Sequence, residues 1–256
     1  MRLAFQADLL RLCLSPRVGE FHYLRTQSRG YARQATQDLF RILAPTAILG
    51  YGFPKESFQA ALAKTKFDLI AVDAGSIDPG PYYLASRSSF TSLEHVVRDL
   101  RIIVKGLSQH SADGQQCKLV VGSAGGCGTD NQLFILTDAL QQLLREEGMS
   151  PKPFATITSE VSDIGSLLHG RSLTSLGPMP PISQEDVRES VVVAQMGLEP
   201  IMCALAHTDI VICGRAYDPA LFAAEPVRRG FPAATALHAA KVLECGAIAT
   251  TPGSGS

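Results

Sequence analysis

From Ala44 onward the chain alternates short apolar runs with stretches whose apolar residues recur every three or four positions. TAILGYGF, Thr46 to Phe53, reads as a strand and loop, and Pro54 then suits a first helical turn continued by ESFQAALAK. FDLIAVDAGS, Phe67 to Ser76, is a β-rich run that ends in Asp and Gly. From Ser92 to His110, Leu93, Val96, Val97, Leu100, Ile103, Val104 and Leu107 share one helical face, and Thr91 with Glu94 offers a capping box. CKLVVGSAGGCG, Cys117 to Gly128, is a second strand running into a glycine loop. Thr129 and Gln132 form another capping pair, and Leu133, Leu136, Leu140, Leu143 and Leu144 mark a helix ending near Gly148. FATITSE, Phe154 to Glu160, is a third strand. After the Pro-rich stretch Gly177 to Asp186, with Ser183 as a cap, Val191 to Cys213 divides into a helix through Met196, a second helix and a strand. DIVICGRAYDP, Asp209 to Pro219, is that strand and its loop. Asp218-Pro219 opens a helix through Phe222, and a last helix spans Ala233 to Cys245.

Repeated strand–loop–helix units predict an α/β fold: a mostly parallel sheet with helices on both faces, layered like a Rossmann domain. Composition agrees. The 256 residues are 46% hydrophobic and 18% charged with net charge -1, enough apolar material for a large core. Met1 to Arg41 differs, with Arg at 2, 11, 17, 25, 29 and 33 against few acids, Asp8, Glu20 and Asp38 among them. Residues 1–41 are read as an N-terminal extension, either a presequence or a docking helix. Residues 42–256 are read as one α/β domain cut short at its C-terminal end, because ATTPGSGS follows an apolar segment directly. An intracellular, cytoplasmic protein is expected, or a mitochondrial one if residues 1–33 are a presequence.

No dense Lys/Arg stripe with interleaved aromatics points to nucleic acid, and no uninterrupted apolar run reaches membrane-spanning length. The six cysteines form no CxxC, so reduced thiols are expected; Cys127, in the glycine loop, is the one worth testing for reactivity, against a spectator role as the alternative.

Three strand ends pass into loops of Gly, Ser and Asp: VDAGSIDPGPYY, VVGSAGGCGTDN and VICGRAYDPA. Loops at the carboxyl ends of parallel strands form the binding crevice of such a sheet, so a common site is expected there. Gly122, Ser123, Gly125 and Gly126 precede a helix start, where free N–H groups suit a phosphate or carboxylate; a plain strand-to-helix turn is the alternative. The spacing matches neither a dinucleotide fingerprint, nor a P-loop, nor a nucleophile elbow, so no nicotinamide or flavin is implied. Asp73, at a strand end, and Glu160 are candidate acid–base groups, with loop capping as the alternative for Asp73 and a solvated loop acid as the alternative for Glu160. Ser76, Asp130 and Asp218 are candidate ligand-binding residues in the same loops, with a helix-start role as the alternative for Asp130 and an N-cap before Pro219 as the alternative for Asp218. Arg215 could hold a carboxylate or phosphate in bidentate fashion, or pair internally with Asp218. His238, Lys241 and Glu244 share a helix face, read as solvated or as turned towards the site. No metal site is assigned, although Asp73, Asp78 and Asp218 could in principle serve a divalent ion.

ILAPTAILGYGFPKESF, VDAGSIDPGPYYL, VVGSAGGCGTD, QMGLEPIMCAL, DIVICGRAYDPALFAAEPVRRGF and HAAKVLECGAIA together resemble the acyclic terpene utilisation family over most of Ile42 to Ala249. The resemblance implies a role in catabolism of branched terpenoid acids carried as coenzyme A thioesters. The expected function is therefore a lyase- or hydratase-type enzyme acting on a branched acyl-CoA or a related carboxylated substrate. The alternative is a non-catalytic ligand-binding or assembly subunit. A small acyl substrate is the expected partner, with a homo-oligomer or a catabolic partner subunit beside it.

Overall fold

The computed structural model describes residues 39–112, 116–149, 153–162, 164–169 and 190–250, with isolated positions between 177 and 186. Its centre is a five-stranded, wholly parallel sheet in the order β1-β2-β3-β5-β4. The strands are β1 (Ile42–Leu43), β2 (Leu69–Asp73), β3 (Lys118–Gly122), β4 (Ala155–Ile157) and β5 (Ile210–Cys213). The helices are α1 (Lys55–Lys64), α2 (Gly80–Ser86), α3 (Leu93–Ala112), α4 (Asp130–Glu146), α5 (Ile164–His169), α6 (Leu198–Leu205), α7 (Ala220–Arg228) and α8 (Ala233–Gly246).

The two-residue period of a strand sorts side chains between two cores. Ile70, Val72, Leu119, Val121, Ile210 and Ile212 face one layer, against Phe58 of α1, Leu100, Ile103 and Leu107 of α3, and Leu136 and Leu140 of α4. Leu69, Ala71, Val120, Val211 and Cys213 face the other, against Ile201 and Leu205 of α6, Leu221 and Phe222 of α7, and Ala236 and Ala240 of α8. Burial on both faces is why β2 and β5 read as unbroken apolar runs rather than alternating ones.

The α/β class and the parallel sheet are as expected, and the expected helices from Thr129 and from Ala233 are present. Three local expectations are corrected. The first strand is Ile42–Leu43, not Thr46 to Phe53. Pro45 has no N–H to continue the ladder, and Gly50 and Gly52, both at positive φ, turn the chain. The segment through Val191 and Met196 is extended, with Val193 bridged to Glu160 and Met196 to Ala216. The β-branched run Val191-Val192-Val193 favours that conformation. At α3, Ser92 rather than Thr91 accepts from the first turn, at His95 N, while the Thr91 hydroxyl donates to Leu49 O. No described helix is long and apolar enough to cross a membrane. Cys117, Cys127 and Cys213 are buried and Cys245 exposed, all four outside any disulfide; Cys203 is disulfide-bonded, contrary to the all-thiol expectation.

Candidate functional site

β3 and β5 lie side by side, yet their following helices leave for opposite faces: α4 packs in the first core and α7 in the second. This is the switch point of the sheet, the place where open α/β sheets generally bind ligands. Asp73, the last residue of β2, sits in register with Gly122, the last of β3. Backbone bonds join the three strand ends: Ala74 N to Gly122 O at 3.0 Å, Ser123 N to Gly214 O at 3.0 Å and Ala124 N to Cys213 O at 3.0 Å.

The glycines let these loops touch. A Cβ on Gly75 would lie 2.3 Å from Gly126 Cα, and one on Gly128, at φ +75°, would lie 2.0 Å from Arg215 N. Ser159, just beyond β4, links the same parts. Its hydroxyl donates to Gly128 O at 2.7 Å and accepts from Arg215 N at 2.6 Å. Nothing in the sequence singled out Ser159 beyond its place at a strand end.

Arg215 is almost wholly buried and binds all three loops. Nη1 donates to Gly75 O at 3.1 Å and to Gly126 O at 3.0 Å; Nε and Nη2 both reach Ala216 O, and Nη2 also meets Asp218 Oδ1. These five contacts match the five N–H groups of a guanidinium. Asp73 Oδ2 completes the charge cluster 3.9 Å from Nη2, and Asp73 Oδ1 accepts from its neighbour Ala74 N at 2.9 Å. Burial raises the Asp73 carboxyl to about 8; Arg215 opposes that shift, Asp218 adds to it, and the nearby Ser123 hydroxyl opposes it. At neutral pH Asp73 is therefore mainly the neutral acid, beside an Arg215–Asp218 ion pair.

Ser123 is fully buried at φ +48°, a left-handed conformation costly for a residue with a Cβ. Although close enough to Asp73 to influence it, its Oγ makes no hydrogen bond of ordinary geometry. A strained backbone with a buried hydroxyl lacking an ordinary partner, beside Asp73, sets Ser123 apart from the rest of the glycine loop. Cys213 ends β5 beside it, and burial and Asp73 push its thiol far up, away from thiolate chemistry.

The remaining candidates spread around this centre. Gly122, Gly125 and Gly126 lie in the glycine loop that contacts Arg215. Ser76 is half-buried and accepts from Asp78 N at 3.3 Å, one residue beyond the Arg215 contact at Gly75. Asp130 and Glu160 form a separate pair. Asp130 is the first residue of α4, and its N–H donates to Glu160 Oε2 at 3.0 Å. The chain thus places its own carboxylate at the α4 N-terminus, and burial, then Glu160, raise the Asp130 carboxyl. Cys127 is buried, with Sγ 3.9 Å from Thr129 Oγ1. Among the described residues, no group of three or more His, Cys, Asp or Glu side chains is placed to hold a metal.

The model of the acyclic terpene utilisation family protein AtuA matches residues 102–253, from within α3 to beyond α8. The chain belongs to the acyclic terpene utilisation family. The matched region contains the glycine loop, Glu160 and the Arg215–Asp218 loop, while Asp73 on β2 lies before it. No curated protein and no solved structure matches this AtuA-family chain.

Proposed function

We propose that this AtuA-family chain is an enzyme domain that moves a proton on a carboxylated substrate, a branched terpenoid acyl-CoA or a related acid, in a lyase- or hydratase-type step. The observation that carries this reading is Asp73: a buried carboxyl held at about 8 where the loops after β2, β3 and β5 converge. A general acid–base group works best when its pKa lies near the working pH, and burial tunes Asp73 to that range. The Arg215–Asp218 pair fixes the site's shape and charge, and the buried Ser123 hydroxyl lies beside Asp73. Elimination and hydration need a proton donor and acceptor and no redox partner, which suits this residue set.

One observation favours a second reading, that of a ligand-binding or assembly subunit. Arg215 spends all its donors within the chain, as a structural clamp would. Thermal melts of the full chain with branched acyl-CoAs, free CoA, nucleotides and Mg²⁺ find a ligand, because one that binds only the folded state raises the melting temperature, and turnover of that ligand separates the two readings. The enzyme reading expects a shift with a branched acyl-CoA and turnover of that compound that Asp73→Asn lowers about 100-fold or more while the variant still melts cooperatively. A shift without turnover, or turnover untouched by Asp73→Asn, overturns the role given to Asp73.

A further inference from the structure

Two helices of the first core, α3 and α4, lie side by side, and Arg101 bonds Glu146 between them. Their inner faces are packed, with Leu100, Leu107, Leu136 and Leu140 buried. Between their outer faces runs a groove of about 250 Å³, lined by the apolar side chains of Leu93, Val97, Ile135, Ala139 and Leu143. Phe134 borders the same groove and is 71% exposed; Leu93, on the opposite wall, is 48% exposed. Phe134 and Asp138 lie one turn apart on the outward stripe of α4, away from the leucines that face the core. Such a stripe is ordinarily polar. A phenylalanine there, beside an apolar groove, makes a continuous apolar patch rather than a scattered surface residue.

One face therefore carries both a protruding ring and a groove. That combination is self-complementary, because a two-fold axis brings the ring of each copy to the groove of the other. The charges agree. α3 exposes Arg98, Arg101 and Lys105 against Glu94, whereas α4 exposes Asp130, Asp138 and Glu146 against Arg145. One helix is basic on its outer surface and its neighbour acidic. A two-fold axis running along the pair sets α3 of one copy on α4 of the other, twice over, so each basic surface meets an acidic one. Setting α3 on α3 would oppose like charges, so charge selects between the possible pairings. Asp138 forms no ion pair among the described residues, and Arg101, with five donors, has several beyond its contact to Glu146.

We propose that the α3–α4 face is the interface of a homodimer, in which Phe134 of each copy enters the groove of the other and Asp138 pairs with the partner's Arg101. Sedimentation equilibrium of the full chain, with the 27.4 kDa protomer as reference, tests it over a range of protein and salt concentrations. The expected result is a reversible monomer–dimer equilibrium. Phe134→Ser, an exposed change that leaves the fold intact, raises the dimer dissociation constant about tenfold or more, as loss of a central aromatic anchor does. Asp138→Lys raises it as well, and by less as added salt screens the charges. Both variants melt as cooperatively as the unsubstituted chain. Tyr82→Ser, at a ring 68% exposed and outside the groove, leaves the equilibrium unchanged. A chain that stays monomeric at every concentration overturns the dimer and leaves the groove to another occupant. A dimer unmoved by Phe134→Ser overturns it too, because the contact then lies on another face. A dimer that Phe134→Ser weakens and Asp138→Lys does not overturns the pairing of α3 with α4.

Discussion

Ser123 carries the sharpest conflict between stability and function at the level of single residues. Its left-handed backbone costs about 1 kcal/mol relative to glycine, and its buried hydroxyl lacks a hydrogen bond of ordinary geometry. Ser123→Gly removes both burdens, so the melting temperature of the free chain rises or holds. Under the acid–base reading, turnover and ligand-induced stabilisation fall. A stabilised variant that keeps full turnover would mean the hydroxyl touches no ligand; a destabilised one would mean it serves packing. Sequence reading found Ser123 through its glycine neighbours but gave no hint that a serine occupies a glycine-like conformation. Arg215 shows the same boundary. Its charge and place at a strand end are legible, whereas the destination of its donors depends on carbonyls from Gly75 and Gly126, brought together only by the sheet.

The strongest elements were legible because local pattern and tertiary demand agree in them. α4 has Leu133, Leu136, Leu140, Leu143 and Leu144 at helical spacing, all buried in the core, and Thr129 accepts from Gln132 N as the capping pair predicts. Where the two signals part, pattern fails. Val191-Val192-Val193 has the hydrophobicity of a core helix, but its β-branched side chains follow the extended path that bridges Glu160. Glu244 was legible as a member of a polar face, while its burial was not: the i+4 match with Ala236 and Ala240 was the available signal, and it points inward. The α4 N-terminus allows a test at this scale. Thr129→Ala removes a side-chain cap from a helix that starts at the site and should cost about 1 kcal/mol in urea unfolding. Glu160→Gln keeps the acceptor at Asp130 N but removes its charge, and should lower the raised Asp130 pKa, readable by carboxyl NMR titration. An unmoved Asp130 would show that burial alone sets its value.

Asp73 imposes a pH dependence on the whole molecule that runs opposite to that of an ordinary paired carboxylate. Burial raises it from the usual 3.8 to about 8, so the folded state binds this proton more tightly than the unfolded chain does. Its contribution is fully present below 3.8 and is lost as the pH rises through about 8, with a slope of at most about 1.4 kcal/mol per pH unit for one group. Glu225 has the reverse sign. Burial raises its pKa, but hydrogen bonds from Arg228 and Arg229 outweigh that and leave it lowered, so its stabilisation is lost only in acid. The two effects occupy separate windows and can be read apart. Melting temperatures between pH 5 and pH 9, measured for the unsubstituted chain and Asp73→Asn, should diverge as the pH rises, because the amide has no proton to lose and keeps its stability where the carboxyl is forced to ionise. The acid limb below about pH 4 should be shared. A constant difference across that range would mean that Asp73 is already ionised in the folded chain. The clamp at Arg215 would then hold an anion instead of a neutral acid, and the centre would have no proton to give at neutral pH. Stability measured without any ligand thus decides whether the chemistry assigned to the sheet edge is available to the protein.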